Sequence, residues 1–350
     1  MHITNANMRI ASINVGANIK KRWHNIMEWA TEGKYDIVCI QETHLSKEQE
    51  GDLETINEEY KLICAHAKRE ESLEIYREKK TKNLALEFEF EDNEITIPIN
   101  PKMAWNHLGM ITMIKKDIAM NIKETIKDKN GRYIINVIKI TDEKIIILAN
   151  IYASATYAEN EKFYPKFTNK LKEIQNRYRE TTVNIIGGDY NGTIDESVDK
   201  KIKKMNQHKY SHIIKMCDEL KLKDTFRAHN GWMRKYTFCK SNYPSKVEKD
   251  EQQIRLDYIM TDASKEEIII SEIGERNFEI SKDHCKTSVI MNLKLEVHNT
   301  MEEIEEALKR KTRKRYKTQN MEGEEIEKKL NSDRAKKMWD LETLTKRAKE

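Results

Sequence analysis

The sequence predicts an α/β fold. A short β-branched run, "MRIASINV" (8–15), is followed by a helical pattern and a second such run, "YDIVCIQE" (35–42), so the chain opens as strand, helix, strand. Apolar runs of strand length recur later and alternate with two more segments of helical periodicity. Most of these runs close on a polar residue, the position where open α/β folds gather ligands. A chain of 350 residues suffices for one large α/β domain or two small ones.

The elements follow in order. After the first run, Asn18 suits a helix cap, and Ile19, Trp23, Ile26, Met27 and Ala30 share one helical face that Gly33 would end. Residues 66–97 differ: "HAKREESLEIYREKKTKN" is crowded with charge, and "LALEFEFEDNEITI" alternates apolar with acidic residues. They read as a charged insertion outside the core. Strand signals resume at "LGMITMI" (108–114), "RYIINVIKI" (132–140) and "KIIILANIY" (144–152). A helix is expected over 159–180, with Phe163, Phe167, Leu171, Ile174 and Tyr178 on one side. The strand "VNIIGGDYNGT" (183–193), a helix at "SHIIKMCDELKL" (211–222) and strands at "RLDYIM" (255–260) and "TSVIMNLKLEV" (287–297) complete the body. From about 298 onward helix-forming charge replaces large apolar residues. The expected division is a domain at 1–297 and a charged helical extension or linker at 298–350. Its "KRKTRKR" (309–315) reads either as a nuclear-import or phosphate-contacting patch or as a solvated helix face.

Charge bounds the partners. Lys and Arg number 63 against 59 Asp and Glu, and the last fifty residues hold 15 basic and 12 acidic side chains. The body is nearly balanced, so any nucleic-acid contact must use a local patch. Five cysteines, an odd number with no CxxC pair, read as reduced thiols of an intracellular protein, not as a disulfide frame or a zinc site. No 18-residue apolar stretch suits a membrane span, and "MHITNANMRI" lacks the apolar core of a signal peptide.

The polar residues at the ends of the runs carry the chemistry: Asn14, Glu42, Tyr152, Asp189, Asn191, Asp257 and the triplet "KDH" (282–284). Asp, Glu, Asn and His without Cys suggest a hard divalent ion, Mg²⁺ or Mn²⁺, and hydrolysis of a phosphate ester. A carboxylate at a strand end can orient or deprotonate water, and an amide two residues on projects to the same side to meet a phosphoryl oxygen. Gly187 and Gly188 leave room for close backbone approach.

Six motifs in this order, "ASINV", "QETH", "NIYA", "GDYN", "RLDYI" and "KDH", resemble the endonuclease/exonuclease/phosphatase superfamily over roughly residues 8–297. With "YTF" (236–238), they look most like the apurinic-type endonuclease domain of LINE (non-LTR) retrotransposons. The resemblance implies a four-layered α/β sandwich of two packed mixed sheets flanked by helices. It implies metal held by Glu42 with Asn14 and Asp283, and water oriented or activated by Asp189. Asn191 and Tyr152 would bond the phosphate, His284 would contact it with Asp257 fixing the tautomer, and Thr237 would lie near a DNA-facing surface. Where the family usually reads "IYAPN" and "SDH", this chain has Ala155 and Lys282, and Lys282 could supply a phosphate contact of its own.

The expected activity is therefore divalent-metal-dependent nicking of double-stranded DNA that leaves a 3′-hydroxyl. A reverse-transcriptase segment in a longer product is the implied partner, and a nuclear location is expected. An apurinic endonuclease or 3′-exonuclease of DNA repair, a phosphatase of inositol phosphates or phospholipids, and a degenerate non-catalytic copy are the other readings.

Overall fold

A computed structural model describes residues 3–4, 7–16, 19–45, 50–53, 59–66, 109–178, 180–201, 211–239, 253–293 and 295–296. The expected Asn18 cap, nearly all of the charged insertion and the whole extension lie outside these residues. The chain divides into two units, Ile3–Leu295 and Met1–His2 with Glu296–Glu350; the first contains everything that follows.

Strands β1 (Ile3–Thr4), β2 (Asn7–Asn14), β3 (Ile37–Gln41), β4 (Tyr60–Ala65) and β5 (Met110–Lys115) come first, with helix α1 (Ile19–Glu32) between β2 and β3. Helix α2 (Lys116–Ala119) leads to β6 (Ile122–Lys127), β7 (Tyr133–Lys139) and β8 (Lys144–Tyr152), then to α3 (Tyr157–Arg177) and β9 (Thr181–Asp189). Next come α4 (Glu196–Asp199), α5 (Ser211–Leu220), β10 (Lys223–Asp224) and α6 (Thr225–Asn230). Strands β11 (Phe238–Cys239), β12 (Gln253–Ile254), β13 (Asp257–Thr261), β14 (Ile268–Ile273) and β15 (Thr287–Asn292) follow.

Two six-stranded mixed sheets form, in the orders β14-β15-β2-β3-β5-β4 and β10-β13-β9-β8-β7-β6. Met8, Ile10, Ile37, Ile134, Ile146, Ile185 and Val289 fill the space between them. Against the outer face of the first sheet α1 packs Trp23, Ile26 and Ala30 onto Ile13, Val38 and Ile40. On the second, Phe167, Leu171 and Ile174 of α3 and Ile213 and Met216 of α5 cover Ile145, Ile147 and Ile186. The fold is therefore a four-layered α/β sandwich. Central strands read as unbroken apolar runs because helices cover one face and the other sheet covers the second; all five residues of β3 are buried.

Among the described strands longer than two residues, three escaped the sequence pattern: β4, β6 and β14. Each is the edge of its sheet. An edge strand keeps solvent along one side and tolerates charge there, so β6, "IKETIK", alternates exposed and half-buried residues instead of forming an apolar run.

The end of α1 also differs in its reason. Lys34, at φ 51°, takes the left-handed position. Its N–H donates to Thr31 O and that of Tyr35 to Ala30 O, a Schellman pattern. Gly33 matters for space instead, since a Cβ there would meet the Tyr35 ring at 2.2 Å.

Register decides where the strand ends fall. β2 and β3 run parallel with Asn14 beside Gln41. β8 and β9 run parallel with Tyr152 beside Asp189, and antiparallel β13 begins with Asp257 opposite Asp189. One mouth of the sandwich thus receives the polar closures of four strands and the start of a fifth.

Candidate active site

Asp189 lies at the centre of this mouth. It is 1% exposed. Its Oδ2 accepts the Asn14 amide at 2.9 Å, and its Oδ1 accepts the Asn191 backbone N–H at 2.8 Å. Asn191 sits at φ 46°, a conformation Asn tolerates well, and its side-chain amide donates to Ala153 O at 2.8 Å. Burial, then the neighbouring Asp257, pushes the Asp189 carboxyl up to about 7 against the opposing pull of His284, Asn14 and the Asn191 N–H.

Asp257 and His284 form a buried pair, Nδ1 to Oδ2 at 2.8 Å. Burial disfavours the imidazolium, but the charge and hydrogen bond of Asp257, with Asp189 and Asp283, outweigh it and raise His284 to about 10. Nδ1 therefore carries its proton towards Asp257, and Nε2 is the group left to act. The His284 backbone is held too: its N–H donates to Ser281 Oγ at 3.2 Å, and the residue bridges to Phe238.

Glu42 follows β3 in the left-handed region, at φ 52°, which turns its carboxylate away from the path of the strand. The Tyr152 hydroxyl donates to Glu42 Oε1. Burial first, and then Glu42 and Asp189, hold this phenol far above its usual range, so it stays protonated. Asp283 lies beside the turn after β2, with Oδ1 3.5 Å from where a Gly16 Cβ would stand. Asn14 Oδ1 accepts the Gly16 N–H at 2.9 Å.

The two expected DNA contacts differ in exposure. Thr237 has no exposed surface. Its hydroxyl accepts the backbone N–H groups of Leu256 and Asp257 at 2.9 and 3.0 Å. It positions the start of β13 from the interior, whereas the expectation places it near a DNA-facing surface. Lys282 is exposed beside the site, and Ala155 is exposed as well, so neither departure from the family motifs interrupts the buried network.

The structure adds residues the motifs did not single out. Asn150, buried between the sheets, accepts from Gln41 Nε2 at 2.8 Å and donates to Ile111 O at 3.0 Å. Gln41 directly precedes Glu42, and Asn150 lies two residues before Tyr152. Arg255 is 1% exposed and pairs with Asp199 at 2.9 Å and with Asp224, while stacking 4.5 Å from the Tyr258 ring centroid. Its signal was a lone arginine opening an apolar strand, and the pairing acids come from distant segments.

The donor chemistry fits a hard divalent ion. Glu42, Asp283 and the Asn14 carbonyl offer oxygen alone. Single ligand atoms of Asp189, Asp257 and His284 also lie within 4.8 Å of one another. Asp257 Oδ1 is buried with no hydrogen-bond partner, an acceptor the fold leaves unsatisfied.

No protein-family model and no curated protein sequence matches the chain significantly. Solved structures do. An AP endonuclease from Leishmania major superposes with TM-score 0.60 at 14% identity, over 82% of this chain and 88% of that one. The catalytic domain of APE2 from Xenopus laevis gives 0.58 at 16% identity, covering 84% and 94%. A 3′ phosphatase, NExo, from Neisseria, bound to a product DNA hairpin, gives 0.57 at 12% identity, covering 81% and 99%. The chain has the fold of the AP endonucleases.

Proposed function

We propose that the chain is a divalent-metal-dependent phosphodiesterase that nicks double-stranded DNA and leaves a 3′-hydroxyl. The observation that carries this is one connected constellation at one mouth: Asn14 bonded to Asp189, Asp189 facing Asp257, and Asp257 bonded to His284. The structural neighbours include AP endonucleases and a phosphatase with DNA product, which supports DNA as the substrate.

The family resemblance implies the residue roles, and the arrangement supports them. Asp189, ionised, accepts a proton from the attacking water or fixes its lone pair; Asn14 and the Asn191 N–H hold the carboxylate in one orientation. His284, charged and locked through Nδ1, presents Nε2–H to a phosphoryl oxygen, where charge grows in the transition state. Glu42 and Asp283, with the Asn14 carbonyl, would hold Mg²⁺ or Mn²⁺, and the ion supplies charge neutralisation at the phosphate. Tyr152 keeps one Glu42 oxygen occupied and so aims the other.

The motifs "QETH", "NIYA" and "YTF" favour the retrotransposon type, in which the nick primes a reverse transcriptase carried by a longer product. The second reading, apurinic endonuclease or 3′-phosphatase, is favoured by what the neighbours are. A degenerate copy is disfavoured, since Ala155 and Lys282 lie on the surface while the buried network is complete. Incubation with supercoiled plasmid and with an abasic duplex, each with Mg²⁺ and with chelator, tests these. Chelator-sensitive nicking of intact plasmid supports the first; cleavage of the abasic duplex alone supports the second; no cleavage of either overturns both.

A further inference from the structure

We propose that Glu50, Cys64 and His66 form a second metal site, for a Zn²⁺-type transition-metal ion. Cys64 and His66 are two residues apart at the extended end of β4, so they project to the same face. That face is the outer one, where Cys64 packs with Leu45, Leu53 and Leu62. Glu50 comes from the segment that covers it. One ligand atom from each of the three lies within 4.8 Å of the others, close to the spacing a tetrahedral ion imposes on its ligands.

The imidazole is oriented as a ligand. Its Nδ1 lies 2.9 Å from Leu45 O. A carbonyl only accepts, so Nδ1 carries a proton and Nε2 faces inward, the arrangement that fixes metal-binding histidines. Nε2 lies 3.0 Å from Glu50 Oε2, and Cys64 hydrogen-bonds the same carboxylate. Without an ion, the 3.0 Å contact needs one proton between Nε2 and Glu50 Oε2, and the thiol carries a second. A divalent cation replaces them: the ion enters, both protons leave to solvent, and Glu50⁻, Cys64⁻ and neutral His66 balance its charge, with no change of oxidation state.

The donor sets separate the two sites. Sulfur, nitrogen and one carboxylate select Zn²⁺, whereas the oxygen-only set of the catalytic mouth suits Mg²⁺. The sequence expectation of no zinc site rested on the missing CxxC; here the ligands come from two separate segments. The consequence reaches the catalytic mouth, because Leu45 is three residues beyond Glu42. A bound ion ties Glu50 to the end of β4, where His66 also donates to Leu45 O.

Cobalt tests this on the full chain after chelator stripping. Co²⁺ titration should give a near-ultraviolet thiolate charge-transfer band that saturates at one equivalent, and Zn²⁺ should displace it. Cys64→Ser should lose the band, and His66→Gln should weaken binding by at least ~10-fold. Asp189→Asn should keep the band, since the catalytic cluster has no sulfur. Peptide mapping of alkylation gives a second readout on the unmutated chain, in which Zn²⁺ should protect Cys64. Absence of the band, its survival in Cys64→Ser, or no protection of Cys64 overturns the proposal.

Discussion

The side-chain amide of Asn14 donates to Asp189 Oδ2 at 2.9 Å, from the end of a strand in one sheet to the end of a strand in the other. The Asp189 carboxylate, the proposed catalytic group, is thus held by the seam of the sandwich. Removing its charge should cost chemistry and spare the fold. Asp189→Asn should lower the nicking rate by ~10²–10⁴-fold. Its unfolding midpoint in urea at pH 8 should match or exceed that of the parent, because a buried carboxylate is costly to ionise.

The His284–Asp257 pair makes stability depend on pH. The folded imidazole titrates at about 10 against an ordinary 6.5. Its stabilisation is complete below 6.5 and is lost as pH rises through 10, because the unfolded chain gives up the proton first. Asp189, raised from 3.8 to about 7, adds a fall in stability between those values. Denaturation of the chelated protein from pH 4 to 10 should therefore show declining stability, with a slope from each group of at most about 1.4 kcal/mol per pH increment of one. Asp189→Asn should flatten the acidic part of the curve and His284→Gln the alkaline part.

Gly188 and Gly187 should differ sharply. Gly188 has φ 154°, and a Cβ there would lie 2.0 Å from Ile151 O, backbone that cannot yield. At Gly187 the nearest atom is Cys39 Sγ at 3.4 Å. Gly188→Ala should destabilise the fold by at least ~3 kcal/mol, and Gly187→Ala by much less. Thermal unfolding of the pair measures the difference. Gly188 serves the close backbone approach of β8 to β9 that the sequence suggested, whereas Gly187 faces Cys39 and Ser12 of the other sheet.

Arg255 joins Asp199 and Asp224 in the interior. Arg255→Ala leaves Asp224 without its buried cation and Asp199 with Arg227 as its remaining ion partner, and should cost ~3 kcal/mol. The loss should be visible in chemical denaturation even with the catalytic residues intact.

Tyr152→Phe removes the hydroxyl that donates to Glu42. A hydrogen bond to a charged acceptor is worth ~1.5–3 kcal/mol. The ring and its packing remain, so the fold should persist while the Mg²⁺ concentration for half-maximal nicking shifts.

The sequence by itself determined the inner strands and the three long helices, and it pointed to the polar residues that the fold gathers at one mouth. Strands buried on both faces must be apolar throughout, and helices must show a 3.6-residue stripe, so β2, β3, β8 and β9 and their covering helices were legible. Asp189, Asn191 and His284 stood out because polar groups abruptly end such runs. The tertiary structure decided what those groups do to one another. Only the register of β13 on β9 sets Asp257 opposite Asp189, and only the packing of the two sheets brings Asn14 to Asp189 across 175 residues. Thr237 looked like a surface contact until folding buried it under the β13 backbone. Glu50, Cys64 and His66 carried no motif, because Glu50 stands 16 residues from the histidine it meets. Local sequence encodes which face of an element is apolar; which distant polar atoms then meet depends on sheet register and layer packing.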